Sequence, residues 1–215
     1  MLPQLKGMTV KTPTSKFKLV AISASLLFGA TTMAQTMVAG DYQLSKTKIK
    51  TEYSVDKKAC ASLASNAKDI CVAQAKGKAN IAQAELSNSF KPSVKTNYKV
   101  QVAKAESAYD IAKQQCDDLS GNPKDVCVKE AKAALVSAKA DANVQMKTAA
   151  VSANANQKSA SAQSAASAEK TAIRSDASAD KRAAQYKVEK EKCDALAGST
   201  KDSCLNEAKT RFGKL

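Results

Sequence analysis

Apolar positions in the middle of this chain fall at alternating four- and three-residue intervals. Tyr98, Val102, Ala105, Tyr109, Ala112, Cys116 and Leu119 share one stripe of a helix of the coiled-coil type. A second stripe follows, Cys127, Ala131, Ala134, Leu135 and Ala138, made mostly of alanine and narrow enough for close approach. Larger residues on one helix thus meet alanines on the other. Between the stripes the chain carries helix punctuation. Gly121 stands just past a helix end, where glycine is favoured, Asn122 is a good N-cap, and Pro123 takes the first helical position. Asp125, three residues beyond the N-cap, suits a capping box and the positive end of the helix dipole. The pattern predicts a tight helix-turn-helix.

This arrangement occurs three times. Cys60 and Cys71, Cys116 and Cys127, Cys193 and Cys204 are the six cysteines of the chain, each pair eleven residues apart. Every pair sits in the same phrase: tyrosine, valine or isoleucine, lysine, cysteine, leucine, a small residue, Lys-Asp, cysteine, Ala-Lys. Ser65 and Gly198 match Gly121 at the helix stop, Asn66 and Ser199 match Asn122 as N-caps, and Asp69 and Asp202 match Asp125. The first cysteine lies five residues before the stop and the second five after the N-cap, so the two face each other across an antiparallel hairpin. The expected bonds are Cys60–Cys71, Cys116–Cys127 and Cys193–Cys204, each stabilising its hairpin by about 2–3 kcal/mol in the chain-entropy picture. Zinc sites group cysteines more tightly or add histidine, and this chain has no histidine. No C-x-x-C redox spacing occurs either.

The five tyrosines follow the same scheme. Tyr53, Tyr109 and Tyr186 stand seven residues before a first cysteine, and Tyr42 and Tyr98 eleven residues earlier again. They share the cysteine face, where packing against alanine accounts for them better than a binding platform. Val55, Ile111 and Val188 differ: five residues before the cysteine is about 140° away around a helix. They point off the seam, towards a neighbouring hairpin or a partner.

The fold class is therefore all-α, with three disulfide-stapled antiparallel helical hairpins and long alanine-rich helices, as a loose bundle or an elongated chain. Hairpin 1 is expected at 41–87, with a break at Ser89-Phe90-Lys91-Pro92, and hairpin 2 at 93–147. The first cysteines of hairpins 1 and 2 are 56 residues apart and those of hairpins 2 and 3 are 77 apart. The excess falls in an Ala/Ser-rich stretch, 148–178, read as a helix or spacer because nothing in it could bury a core face. Hairpin 3, 179–215, is shortened on both arms.

Composition explains why staples are needed. Of 215 residues 4% are aromatic, tryptophan is absent, and much of the 44% hydrophobic fraction is alanine. Alanine has the highest helix propensity but little surface to bury. Residues 1–34 read as a secretory signal: Lys11, Lys16 and Lys18, an apolar run from Leu19 to Ala30 too short to span a bilayer, and a small-residue cleavage site at Thr32-Met33-Ala34. Met1 and Met8 are both candidate starts. Export to a periplasmic or secreted location favours disulfides over thiols.

The formal charge is +14; the leader carries four lysines and no acid, which leaves about +10. Lysines recur at Lys57, Lys113 and Lys190, at Lys68, Lys124 and Lys201, and at Lys76, Lys132 and Lys209. Such a surface attracts polyanions at long range, although a lysine-rich helical face is more often simply solvated. No clustered arginine and exposed aromatics suggest specific nucleic-acid recognition. With no histidine, no nucleophile-base arrangement and no glycine-rich phosphate loop among seven glycines, the sequence points away from an enzyme and implies no cofactor.

The phrases YDIAKQQCDDLSGNPKDVCVKEAKAA and YKVEKEKCDALAGSTKDSCLNEAKTRFGKL, behind a signal segment, resemble a group of small exported Lys/Ala-rich proteins of β-proteobacteria with C-x10-C hairpins. Members are often labelled cell-envelope or TolA-like. The resemblance covers nearly the whole chain beyond the leader and carries over no catalytic residue. The leading expectation is a non-catalytic helical scaffold or interaction protein of the envelope, with the off-seam Val55, Ile111 and Val188 and the recurring Lys57, Lys113 and Lys190 as candidate partner contacts. Binding of lipopolysaccharide, wall polymer or DNA through the lysines, and a stress-protectant or chaperone-like role, are the alternatives.

Overall fold

Runs of alanine, lysine and glutamine interrupted only at the punctuated positions leave little choice but helix. The computed structural model describes residues 38–155 and 160–214; the expected signal segment lies outside the described residues. Among the described residues six α-helices follow one another: α1 (Ala39–Ala59), α2 (Ser65–Phe90), α3 (Val94–Cys116), α4 (Gly121–Ala155), α5 (Ala160–Cys193) and α6 (Gly198–Phe212), with a single 3-10 turn, Cys60–Ser62, after α1. All belong to one unit, Gln35–Leu215. The hairpins are α1/α2, α3/α4 and α5/α6.

Each hairpin is closed by the expected bond, Cys60–Cys71, Cys116–Cys127 or Cys193–Cys204, with Cα atoms 5.6, 5.7 and 5.7 Å apart. The helix-stop positions adopt the left-handed conformation, Ser65 at φ 49°, Gly121 at 60° and Gly198 at 56°. Glycine enters this region freely, whereas serine meets a steric cost there. Hairpin 1 therefore holds its turn under strain that the other two lack. The tyrosines pack within the hairpins: the rings of Tyr42 and Phe90 are 4.5 Å apart, joining the start of α1 to the end of α2, and those of Tyr186 and Phe212 are 6.3 Å apart. Leu119, assigned by spacing to the α3 stripe, lies instead in the turn and is 44% exposed.

Among the described residues, each helix packs only against its neighbours in sequence. The reason is visible on α3, which carries two nearly opposite stripes. Cys116 is bonded to α4, and Tyr98 shares a groove with Ala142 and Met146 of that helix. On the other side Ser107 donates to the Gly77 carbonyl of α2 at 3.3 Å, while Lys104 pairs with Glu85 and Asp110 with Lys76. Gly77 lets the helices close up: a Cβ there would stand 2.9 Å from the Ser107 Cβ. A helix with two such stripes sits in the middle of a row. The described hairpins therefore form a row of helices, α1 at one edge and α6 at the other.

Ile111 and Val188, candidate partner contacts by sequence, are used inside this row. Val188 is 7% exposed and Ile111 is half-buried, on the sides of α5 and α3 that face the preceding hairpin. Among the described residues no helix packs on that side of α1, and Val55 is 60% exposed.

Alanine on α4 follows the same logic. Ala131 and Leu135 are half-buried and Ala142 buried, facing α3, whereas Ala134 and Ala138 are exposed. Ala133 and Val136 form a second stripe towards α5, and the face between the two stripes is left to solvent. Residues 148–155 finish α4 and 160–178 open α5, so the Ala/Ser-rich stretch belongs to two long helices that make the most extensive contact of the row. Ala155, Ala166 and Ala177 are buried there. A core face of large residues is unnecessary when two alanine faces can approach each other. Hairpin 3 is shortened only in α6, 15 residues long against 34 in α5. The linker between hairpins 1 and 2 breaks after Phe90. There Ser93 accepts from the Thr96 amide at 3.0 Å and its own amide donates to the Thr96 hydroxyl at 2.9 Å.

The asparagines act differently from the N-caps that their position suggests. Ala64 and Ala197 occupy the caps of α2 and α6, with no side-chain cap bond. Asn66 instead donates its side-chain amide to the Gln114 carbonyl in the last turn of α3, 2.7 Å away, and Asn122 donates to the Glu191 carbonyl of α5 at 3.0 Å. Each adds a donor from the next hairpin to a carbonyl in the last turn that also accepts a backbone amide three residues on, Asp117 at 3.0 Å and Asp194 at 3.1 Å. The third repeat has Ser199 at this place, and among the described residues α6 packs only against α5.

Two outcomes are expected. Asn66→Ala and Asn122→Ala should each lower stability by about 1 kcal/mol and speed amide exchange where α3 or α5 ends, while Ser199→Ala leaves both unchanged. Ser65→Gly should raise the stability of hairpin 1 by about 0.5–1 kcal/mol, read as a higher midpoint in thermal or denaturant unfolding.

Candidate functional site

All six cysteines are consumed in disulfides and no free cysteine remains. Cys60, Cys116 and Cys193 are the largest side chains that are fully buried. The candidate surface is therefore the one around the hairpin tips, where the repeated charges lie.

Lysines of the Lys-Asp pair turn inward along the tip. Lys124 reaches Asp117 at 2.8 Å and Lys201 reaches Asp194 at 2.9 Å, each spanning the turn to the residue after the first cysteine. The hydrogen bond from Lys201 holds the Asp194 carboxyl below its usual range, and the Asp117 bond raises Lys124. These exposed pairs act over the whole neutral range. The Asp194 contribution disappears as pH falls through its lowered pKa, and that of Lys124 as pH rises through its raised one. Hairpin 1 has Ala61 in place of the acid, and Lys68 is exposed with no ion pair among the described residues.

Other lysines tie neighbouring helices together. Lys78 bonds Asp56 at 2.9 Å between α1 and α2, Lys139 bonds Glu106 at 2.6 Å between α3 and α4, and Lys181 bonds Asp141 between α5 and α4. At the base of α5, Lys129 meets Glu191 at 3.2 Å and Lys192 meets Glu130 at 3.1 Å; the Glu130 bond raises Lys192. Asp69, Asp125 and Asp202, expected as capping partners, are exposed beyond the turns.

Three of the unpaired lysines recur at one position of the repeat. Lys57, Lys113 and Lys190 are exposed, make no ion pair among the described residues, and occupy the same position, three residues before the first cysteine. Because α1, α3 and α5 run in the same direction in alternate places of the row, these lysines form a line near the tips. At a helix spacing of about 8–10 Å they stand roughly 16–20 Å apart.

Sequence reading placed the cysteines and the turns and noted the recurrence of these lysines. It missed the amide clips of Asn66 and Asn122 and the division of lysines into paired and unpaired sets. The signal for the second lay in the residue after each first cysteine, Ala61, Asp117 and Asp194. Among the described residues, no helix is long and apolar enough to cross a membrane. Comparison with protein-family models, with curated proteins and with solved structures finds no match to this chain.

Reduction tests how far the fold depends on the cystines. Replacing both cysteines of a pair by serine should cost about 2–3 kcal/mol per hairpin, and a reductant should lower the unfolding midpoint of the native chain but leave the triple-pair variant unmoved. Loss should be largest in hairpin 3, whose α6 is the shortest helix.

Proposed function

We propose that the protein is a non-catalytic helical scaffold or interaction protein of the cell envelope, periplasmic or secreted once its leader is removed. The observation that carries this reading is the open row of disulfide-clasped hairpins, which presents long polar faces and spends its buried surface on holding neighbouring helices together. Cystines in all three hairpins fit an oxidising compartment. The resemblance of the C-x10-C phrases to exported Lys/Ala-rich envelope proteins points the same way.

The line of Lys57, Lys113 and Lys190 favours a second reading: a polyanion lying along the tips, such as lipopolysaccharide, an acidic wall polymer or DNA. Point charges repeated at roughly 16–20 Å match a periodic polymer by long-range attraction. Neither reading needs a cofactor.

Two measurements separate them. Crosslinking in intact cells followed by identification of the captured partners should return an envelope protein if the scaffold reading holds; recovery of the protein from a reducing cytoplasm, with free thiols, would remove it. Titration of each polymer at two salt concentrations tests the second. The triple variant Lys57→Glu, Lys113→Glu, Lys190→Glu should weaken binding at least about tenfold and flatten the salt dependence by about 2–3 in slope, and binding untouched by these changes would exclude the lysine line as the contact.

A further inference from the structure

The row has two edges and they are built differently. On α3 the side facing the preceding hairpin carries Val100, Ser107 and Ile111; on α5 the same three positions, counted back from the first cysteine, hold Ala177, Ala184 and Val188. Val100, Ser107, Ala177, Ala184 and Val188 are all buried and Ile111 is half-buried. On α1 these positions are Leu44, Thr51 and Val55, and among the described residues no helix packs on that side. Leu44 is 71% exposed and Val55 60% exposed, among the largest exposures of any apolar side chain described. The inter-hairpin contact stripe is thus present on α1 and open.

The opposite edge does not complement it. The outward side of α6 carries Asp202, Asn206, Lys209 and Thr210, all exposed. Thr210 stands where Gly77 and Ala133 let a neighbouring helix come close, and Ser199 stands where Asn66 and Asn122 clip the next hairpin. A copy of α6 laid on α1 would press Thr210 against Thr51 and lack the amide clip. Edge-to-edge stacking into a filament is therefore disfavoured, because α6 closes the row.

A second α1 is the better fit. We propose that two copies of the chain pair through α1, antiparallel about a two-fold axis level with Lys50, so that Leu44 of each packs on Val55 of the other. Antiparallel neighbours are the rule throughout this row, and an isologous contact closes on itself. The charges agree: Lys48 and Glu52 flank the stripe, 4.0 Å apart within one helix and 77% and 47% exposed, and the axis brings the Lys48 of one copy beside the Glu52 of the other. A single pair of 21-residue helices lies at the small end of specific interfaces, about 1,000 Å² in total, so the dimer is of low affinity, on the order of 10–100 μM. This pairing goes beyond the envelope reading and does not depend on it: association in dilute buffer and partners captured in cells are read separately.

Sedimentation velocity of the oxidised full chain should show a dimer that grows with concentration. Leu44→Lys and Val55→Lys should each weaken it at least about tenfold with helix content and unfolding midpoint kept. Lys48→Glu alone should weaken it, and Lys48→Glu with Glu52→Lys should restore it. A photo-crosslinker at position 55 should capture α1 of a second copy. A monomer at every concentration, association indifferent to Leu44 and Val55, failure of the double charge swap to restore what the single one loses, or capture of α6, of residues 1–37 of the same chain, or of another protein would each overturn the pairing.

Discussion

A cystine is the nearest thing this fold has to a core. The largest side chains fully excluded from solvent are Cys60, Cys116 and Cys193, and most of the other buried positions are alanine, each burying only a small apolar area. Packing of that kind rewards close approach and tolerates no gap. The cystine supplies the approach: with Cα atoms 5.6–5.7 Å apart at each tip, the two helices start in contact and their alanine stripes continue it. Take away the clasp and the seam has only its small apolar surface to set against the conformational entropy of two ordered helices.

From the clasped hairpin the rest follows by repetition. Because the stripe that faces the next hairpin lies nearly opposite the cystine stripe, hairpins add side by side and a closed bundle cannot form. Small residues set the distance at these joints too, as at Gly77 and Ser107, and side-chain amides lock the ends, as at Asn66 and Asn122. Ion pairs such as Lys104–Glu85 and Lys129–Glu191 run along the same joints. These are half-exposed and worth little singly, so they tune register more than strength. The stability of the row thus resides mainly in each hairpin and in contact with its immediate neighbours, as in repeat proteins.

The hairpins were legible in the sequence because each rests on local rules: a glycine or serine with positive φ, a cysteine five residues to either side, and tyrosines in register with the cysteine. What lay between hairpins was harder to read. An asparagine just after a helix stop is chemically suited both to capping its own helix and to reaching another helix's carbonyl, and only the substitution of serine in the last repeat hinted at the second. The long α4/α5 pair was obscured because alanine faces carry no amphipathic contrast; the stretch from 148 to 178 looks the same whether it is solvated or pressed against its like. Val55, Ile111 and Val188 were identifiable as off-seam, but their differing fates depend on whether a described helix packs on that side. Equal residues in a repeat become unequal at its ends.

Connectivity of the cystines bears on how the chain becomes oxidised. Each cysteine is bonded to its neighbour in sequence, eleven residues away, while the next thiol after Cys71 is Cys116, 45 residues on. Loop closure alone favours the shorter ring by about eightfold, and for a chain that emerges N-terminus first the correct thiol is the first one each new cysteine meets. The native pattern is therefore the one that random encounter already prefers. A simple oxidant suffices to write it, and the chain leaves an isomerase little to correct.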